Sequence, residues 1–568
     1  MTYNKIDVPA QSVLPSSSLL RRQSFSSCFF LFAILCTILI ADFTFTDRQL
    51  WLYHVIRNHW HPSAHTIIPG YAGEAMPLNI VRTMPQALAF LGLFVVVFLF
   101  YLLALRILPR HISHRYIIVS TTLIGFAYML IPFVTSQDVF SYIAYARMAV
   151  LYHFNPMVTP PTVIHSDYIY GFLYWVNQPS VYGPTWLAVT ASIQLLATAI
   201  GFKYVLSMQL LLRLFAFAMH LGSVQMIWKL SGRLQDRTTD TSLPVFQNKR
   251  LLTTLAFAWN PFLLLEACVN AHNDVTLLFM LLLALWWLLP RPESIRQPYV
   301  LASVLFALMA GLKISYIVLV PGLFLFILFH QTVLRSWPRR FLDMGKSLLI
   351  YSGIIIVCHA PFWAHGALLH VFTVTPSASR DINSIYEFLV HGYAQLRGIP
   401  LPRAIDSGSH QEVLSHVLSM AVFMACFGIL CLRTFLRPQL VNTLSALIGW
   451  LTCLWLLYCI VGSPWFWPWY AIIIFGLLAL LEVTQYKHNP TSLVLFSSLD
   501  ISLFGILLSI SMMGLYCLWI FYNLLPNFQL TYLTSLLIWG VPFLIIWLKY
   551  RYDRHRDTTF YQKSESAL

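Results

Sequence analysis

Residues 116–147 read YIIVSTTLIGFAYMLIPFV followed by TSQDVFSYIAYAR. The first part is uncharged from Tyr116 to Val134, and about twenty such residues cross the hydrocarbon core of a bilayer. The second part opens on Thr135-Ser136-Gln137-Asp138, so the carboxylate stands where a helix leaves the membrane. Asp138, Tyr142 and Tyr145 or Ala146 share one face of any helix formed there. Spacing alone admits two readings. In one, Asp138 caps the next helix and the tyrosines sit in an interfacial aromatic belt. In the other, that face carries chemistry. The loop runs on through His153-Phe154-Asn155-Pro156 and closes at Tyr182-Gly183-Pro184.

Composition sets the class. With 58% hydrophobic and 10% charged residues and a mean hydropathy of +0.70, the chain reads as an all-α polytopic membrane protein. The net charge of +14 would suit nucleic acid, but Lys and Arg fall in short clusters between apolar runs, which excludes it as a partner. All nine cysteines lie in or at the ends of apolar runs with no Cys-x-x-Cys pair, so neither a disulfide framework nor a thiolate metal site is expected. The first run, about 25–45, follows Arg21-Arg22 without a small-residue cleavage site and reads as an anchor.

Counting apolar runs, with 184–201 laid along the outer surface as an interfacial helix, predicts about 14 transmembrane helices. Most of the 35 Lys and Arg residues then fall on the side of both termini, and the positive-inside rule makes that side cytoplasmic. The domain expectation is a cytoplasmic tail over 1–25, one membrane-embedded domain over 26–549, and a second cytoplasmic tail over 550–568. Asp138 then faces outward. Long external segments are expected at about 46–85, 135–202 and 364–411, the last as a polar, mobile lid.

This topology gathers polar residues at the outer level. Asn260-Pro261 and Glu266 lie in the outer half of one helix, Asn270, His272, Asn273 and Asp274 in the turn after it, and Lys313 between two short runs. Trp465, Trp467, Trp469 and Tyr470 form another outer turn, at the level of Asp138 and Arg147. Ionisable residues at this depth usually face a cavity or a partner. Each also has a plain structural reading. The 272–274 trio would cap a helix, Lys313 would snorkel, and the tryptophans would anchor the interface. Arg213, in mid-helix, calls for a carboxylate or a lipid phosphate. His272, Asp274 and Glu266 lack the spacing of a metal site, so a divalent metal stays open.

The segment Thr135-Ser136-Gln137-Asp138 with Tyr142, Arg147, Asn155-Pro156 and Tyr182-Gly183-Pro184 resembles the first external loop of bacterial polyprenol-phosphomannose-dependent α-mannosyltransferases, multispanning GT-C enzymes that extend mannan chains. Trp259-Asn260-Pro261 through Glu266, then Ala271-His272-Asn273-Asp274, is similar to that family's Asn-Pro…His-Asn-Asp segment. Ala310-Gly311-Leu312-Lys313 and Pro468-Trp469-Tyr470 are similar to two further landmarks. The resemblance covers about 115–480. Departures are Ala146 and His153 where Gly is expected, and Met157 where Tyr is expected; 490–549 match nothing in the family pattern.

The resemblance implies a GT-C-like bundle in the bacterial cytoplasmic membrane with its active site outward. It implies transfer of a hexose, mannose, from a polyprenyl-phosphate donor to a lipid-linked or glycan acceptor. No nucleotide sugar is available on that face, so the donor must be membrane-borne. Asp138 is the expected base for the acceptor hydroxyl, acting with inversion. A glycosidase needs a second carboxylate to protonate its leaving group. A lipid phosphate leaves as an anion, so cations should face it instead, and Lys313, Arg147 and His272 are the candidates. Tyr142, Asn155, Tyr182, Glu266, Asn273, Asp274, Trp469 and Tyr470 are expected around the sugar and acceptor, aromatic rings on sugar faces. No cofactor is implied. The competing reading is a lipid-linked glycan flippase or other transporter. The absence of paired half-helices, and polar groups gathered at one face instead of the midplane, speak against it.

Overall fold

The computed structural model describes residues 28–41, 83–108, 112–131, 135–201, 205–235, 243–289, 298–330, 336–370, 382–398, 410–484, 498–525 and 533–552. The expected N-terminal tail, residues 553–568 of the expected C-terminal tail, most of the 46–85 segment, and Arg380, Asp381 and Arg403 of the expected lid lie outside these residues. Among the described residues the structure is helical, and its one β-type contact is an isolated parallel bridge between Ile382 and Trp465.

In chain order the helices are α1 (Cys28–Ala41), α2 (Met84–Ile107), α3 (His114–Met129), α4 (Asp138–Val150), α5 (Pro184–Ala199), α6 (Val205–Gln235), α7 (Leu243–Ala258) and α8 (Pro261–Leu264). They continue with α9 (Asn273–Trp287), α10 (Pro298–Leu312), α11 (Val320–Phe329), α12 (Trp337–His359), α13 (Ile385–Leu396), α14 (His410–Leu436), α15 (Leu444–Leu457), α16 (Ile472–Thr484) and α17 (Ser498–Leu524). Six described helices are long and apolar enough to cross a membrane, or seven if the pair around Asn260, bent by 44°, is one span. The larger count from apolar runs is not reached among the described residues, where five further apolar helices are only 10–17 residues long. The two short runs on either side of Lys313, for example, form α10 and, after a 3-10 turn (Ile314–Leu319), α11, and each is too short to count.

The break at Asn260-Pro261 follows from local chemistry. Proline has no N–H to continue a helix and disfavours helical backbone in the residue before it. Asn260 therefore becomes the N-cap of α8, its side-chain oxygen accepting from the Phe262 and Leu263 amides and from Ser509 Oγ. One π turn, Leu265–Val269, follows. Ala271 then takes φ +53, and the chain turns into α9 at His272. The centre of the molecule is made by α6, α9 and α16, each packed on the other two. Small residues let them close up: a Cβ at Gly476 of α16 would lie 2.3 Å from Leu278 of α9.

Arg213, for which sequence suggested a carboxylate or a lipid phosphate, is bonded to three backbone carbonyls. Its Nε donates to Val269 O at 2.9 Å, and its Nη1 donates to Met129 O and Ile131 O at 2.8 Å each. The guanidinium thus ties the C-terminal end of α3 to the end of the π turn, where exposed carbonyls collect partial negative charge. α5, the segment expected to lie along the surface, packs on α4, α6 and α10 and is not among the long apolar helices.

Candidate active site

α4 is 13 residues long and belongs to none of the candidate spans. Asp138 is its first residue. The cap position is Gln137, which makes no side-chain cap bond, so Asp138 is not the helix cap that the plain reading required. Its side chain is 19% exposed and lies 3.9 Å from His272 Nδ1. Burial, opposed by a hydrogen bond from Tyr182 and by the Lys313 charge, holds its carboxyl up at about 6.

Tyr142 and Tyr145, on the same helix, make the wall. Tyr142 Oη is 3.4 Å from His272 Nδ1, and its ring meets Tyr182 edge-on with centroids 4.7 Å apart. Tyr145 donates to Gln178 O at 2.9 Å. Arg147, two and a half turns further along α4, is not beside Asp138. Its Nε and Nη2 chelate Asp167 at 3.1, 3.0 and 2.7 Å, with Tyr152 donating to the same carboxylate at 2.7 Å. Asn155 braces the loop, its oxygen accepting from Met157 N and its amide donating to Phe362 O. His153 takes φ +56, the left-handed region in which glycine is unstrained, at a position where the resemblance expects glycine.

Two glycines weld this loop to the Lys313 segment. Gly183 N donates to Leu312 O at 3.0 Å, and a Cβ at Gly183 would fall 2.2 Å from Gly311 O. Lys313 follows directly. It does not snorkel: its Nζ lies 3.0 Å from both oxygens of Asp274 and 3.8 Å from the Tyr470 ring centroid. Asp274 also accepts from Tyr316 Oη at 2.7 Å, so its carboxylate is an ion-pair partner and not a helix cap. No side-chain cap bond is present at the start of α9.

Behind Asp138 lies a second layer. His272 is fully buried, stacked on Trp469 at 4.1 Å, with Nε2 3.4 Å from Glu266 Oε2. Glu266 is fully buried as well, and accepts from Tyr516 Oη at 2.6 Å and Asn270 Nδ2 at 3.1 Å. Asn273 is buried with neither amide atom bonded. Trp469 stacks in turn on Trp467 at 5.2 Å, so this tryptophan is part of the site wall. Ile382, within the expected lid, exchanges backbone bonds with Pro464 and Phe466 and so anchors that loop beside the tryptophans. Among the described residues no group of three or more His, Cys, Asp or Glu side chains is set to hold a metal.

Sequence reasoning placed Asp138, Tyr142, Tyr182, Glu266, His272, Asp274, Lys313, Trp469 and Tyr470 in one cluster, and they are together. It missed Tyr316, Tyr516 and Asp167. The first two are tyrosines inside apolar runs, with nothing in the sequence to set them apart. Asp167 pairs with Arg147 across twenty residues.

The long apolar helices, with polar side chains drawn to one carboxylate-lined place between them, define a membrane protein built around a polar site. Residues 56–329 match the model of the MptA_B family, described as alpha-(1->6)-mannopyranosyltransferase, N-terminal domain. That stretch, a little under half of the 568 residues, carries Asp138, Glu266, His272, Asp274 and Lys313 and is similar to a mannosyltransferase domain. Neither the curated proteins nor the solved structures gave a match.

Proposed function

We propose that the protein transfers mannose from a polyprenyl-phosphate donor to a lipid-linked or glycan acceptor at the extracytoplasmic face, by inversion, with Asp138 as general base. The observation that carries this is a difference in access. Glu266 and Asp274 side chains are 0% exposed and fully engaged, while Asp138 is 19% exposed and held only loosely. A base must reach the hydroxyl it deprotonates, and of the three carboxylates only Asp138 does.

Lys313 is the cation for the donor phosphate. Its side chain is 12% exposed, and an ammonium that spends two protons on Asp274 keeps a third donor. Arg147, occupied by Asp167, does not take part. Tyr142, Tyr182 and Trp469, buried and packed on neighbouring rings, form the aromatic wall of the sugar site, and Asn273, Tyr470 and Asn155 border the acceptor side. The acceptor oxygen attacks the anomeric carbon as its proton passes to Asp138, and the C–O bond to phosphate breaks with its electron pair on the phosphate.

The test is transfer from labelled polyprenyl-phosphate mannose to a mannoside acceptor by the purified protein. Asp138→Asn should lower the rate by about 10²- to 10⁴-fold, the usual worth of a general base, with little change in thermal stability. A wild-type rate in that variant would remove Asp138 from the chemistry.

A further inference from the structure

His272 lies between two carboxylates, and the geometry is uneven in a useful way. Nε2 is 3.4 Å from Glu266 Oε2, while Nδ1 faces outward to Asp138 Oδ2 at 3.9 Å and Tyr142 Oη at 3.4 Å. The ring is clamped flat by Trp469. Glu266 is itself fixed by Tyr516 and Asn270, and Asn270 accepts from Thr135 Oγ1 at 2.9 Å, three residues before Asp138. A carboxylate behind an imidazole sets its tautomer, placing the proton on the near nitrogen and the lone pair on the far one. Here Nε2 makes no hydrogen bond of its own, and a proton placed on it, toward Glu266, would leave the Nδ1 lone pair facing Asp138.

We propose that His272 and Glu266 form a proton relay that resets Asp138 after each transfer, and that Glu266 acts by positioning His272 rather than by binding sugar. This rests on the reading of Asp138 as base. Once Asp138 has taken the acceptor proton, its O–H bond breaks and the proton passes to His272 Nδ1. The resulting imidazolium donates through Nε2 to the Glu266 carboxylate, so the charge formed inside the protein is balanced there. When product leaves, Nδ1 hands the proton back through Asp138, the exposed member of the three, to water or to the departing phosphate, and the neutral imidazole and the Asp138 carboxylate are restored together. The 3.9 Å separation is of the kind that tightens when substrate closes a site. The charged and titratable groups around the ring are Asp138 and Tyr142 from α4, Glu266 from the π turn, Tyr516 behind Glu266, and Asp274 with Lys313 at the side. A phosphate in contact with His272 would instead stand next to two carboxylates, an unfavourable place for an anion.

The measurement is the transfer assay on Glu266→Gln, which keeps size and hydrogen bonding but removes the charge. The expected result is a kcat about 10- to 100-fold lower, KM for donor and acceptor within about twofold, and a larger solvent deuterium isotope effect on kcat. Glu266→Asp should recover part of kcat. Tyr516→Phe, which takes away one bond and leaves the carboxylate, should show the same isotope signature with a smaller loss. Wild-type kcat in Glu266→Gln and Tyr516→Phe overturns the relay, as does a loss confined to donor KM, which would make His272 a phosphate ligand. Asp138→Asn run in parallel separates the two proposals. If it stays active the base assignment fails. If it is dead while both relay variants behave as wild type, only the relay fails.

Discussion

Gly183→Ala should inactivate the protein although it adds a single methyl group and changes no charge. Gly183 has φ −77 and ψ 176, which alanine adopts without strain, so the whole cost is steric. The new Cβ would lie 2.2 Å from Gly311 O and 2.9 Å from Gly311 C, both backbone atoms that no rotamer change can move. Ordinary contact begins near 3.4 Å, so the two strands of chain must part by about 1.2 Å. That separation sacrifices the Gly183 N to Leu312 O bond, worth about 1 kcal/mol, and overpacks the junction at about 1–3 kcal/mol. The local loss is about 2–4 kcal/mol. Tyr182 and Lys313, which flank the junction, would shift by about an ångström relative to Asp138, and such a misplacement costs about 10²-fold in rate. The assay pairs the thermal midpoint in detergent with the mannose-transfer rate. Gly171→Ala is the control, because a Cβ there meets nothing within 4 Å; it should stay within about 0.5 kcal/mol of wild type. Should Gly183→Ala match Gly171→Ala in both stability and rate, the backbone junction is not what holds Tyr182 against Lys313.

The pH profile offers a separate check. A base must be deprotonated to act, and burial holds the Asp138 carboxyl up at about 6. The transfer rate should therefore be full above that value and fall as pH drops through it, and a profile flat down to pH 4 would contradict the assignment. His153 tests the left-handed turn. His153→Val should destabilise by about 1–2 kcal/mol because a β-branched residue is strained at φ +56, while His153→Gly should not. Equal unfolding midpoints for the two variants would mean the loop does not hold that conformation.

Much of the site was legible because the residues that build it are the ones an apolar chain does not otherwise contain. Asp138, Glu266, His272, Asp274 and Lys313 stand out against their surroundings, and the cost of placing such groups near hydrocarbon implies that they meet. Their pairing was not legible. Sequence left His272 and Arg147 beside Lys313 as equivalent cations. The structure gives Arg147 to Asp167, Lys313 to Asp274, and His272 to the space between Asp138 and Glu266. Arg213 shows the same limit: it is bonded at Val269, Met129 and Ile131 by carbonyls that have no sequence signature.

What the sequence alone determined is the membrane class, the helical character and the identity of the polar residues that must find one another, because hydropathy and charge are properties of residue type and local order. Which carboxylate stays open, which cation is already occupied, and how Gly183 reaches Gly311 from more than a hundred residues away were decided only by the tertiary structure. Those outcomes depend on distances between helices, and close packing sets such distances through contacts that the linear chain does not order.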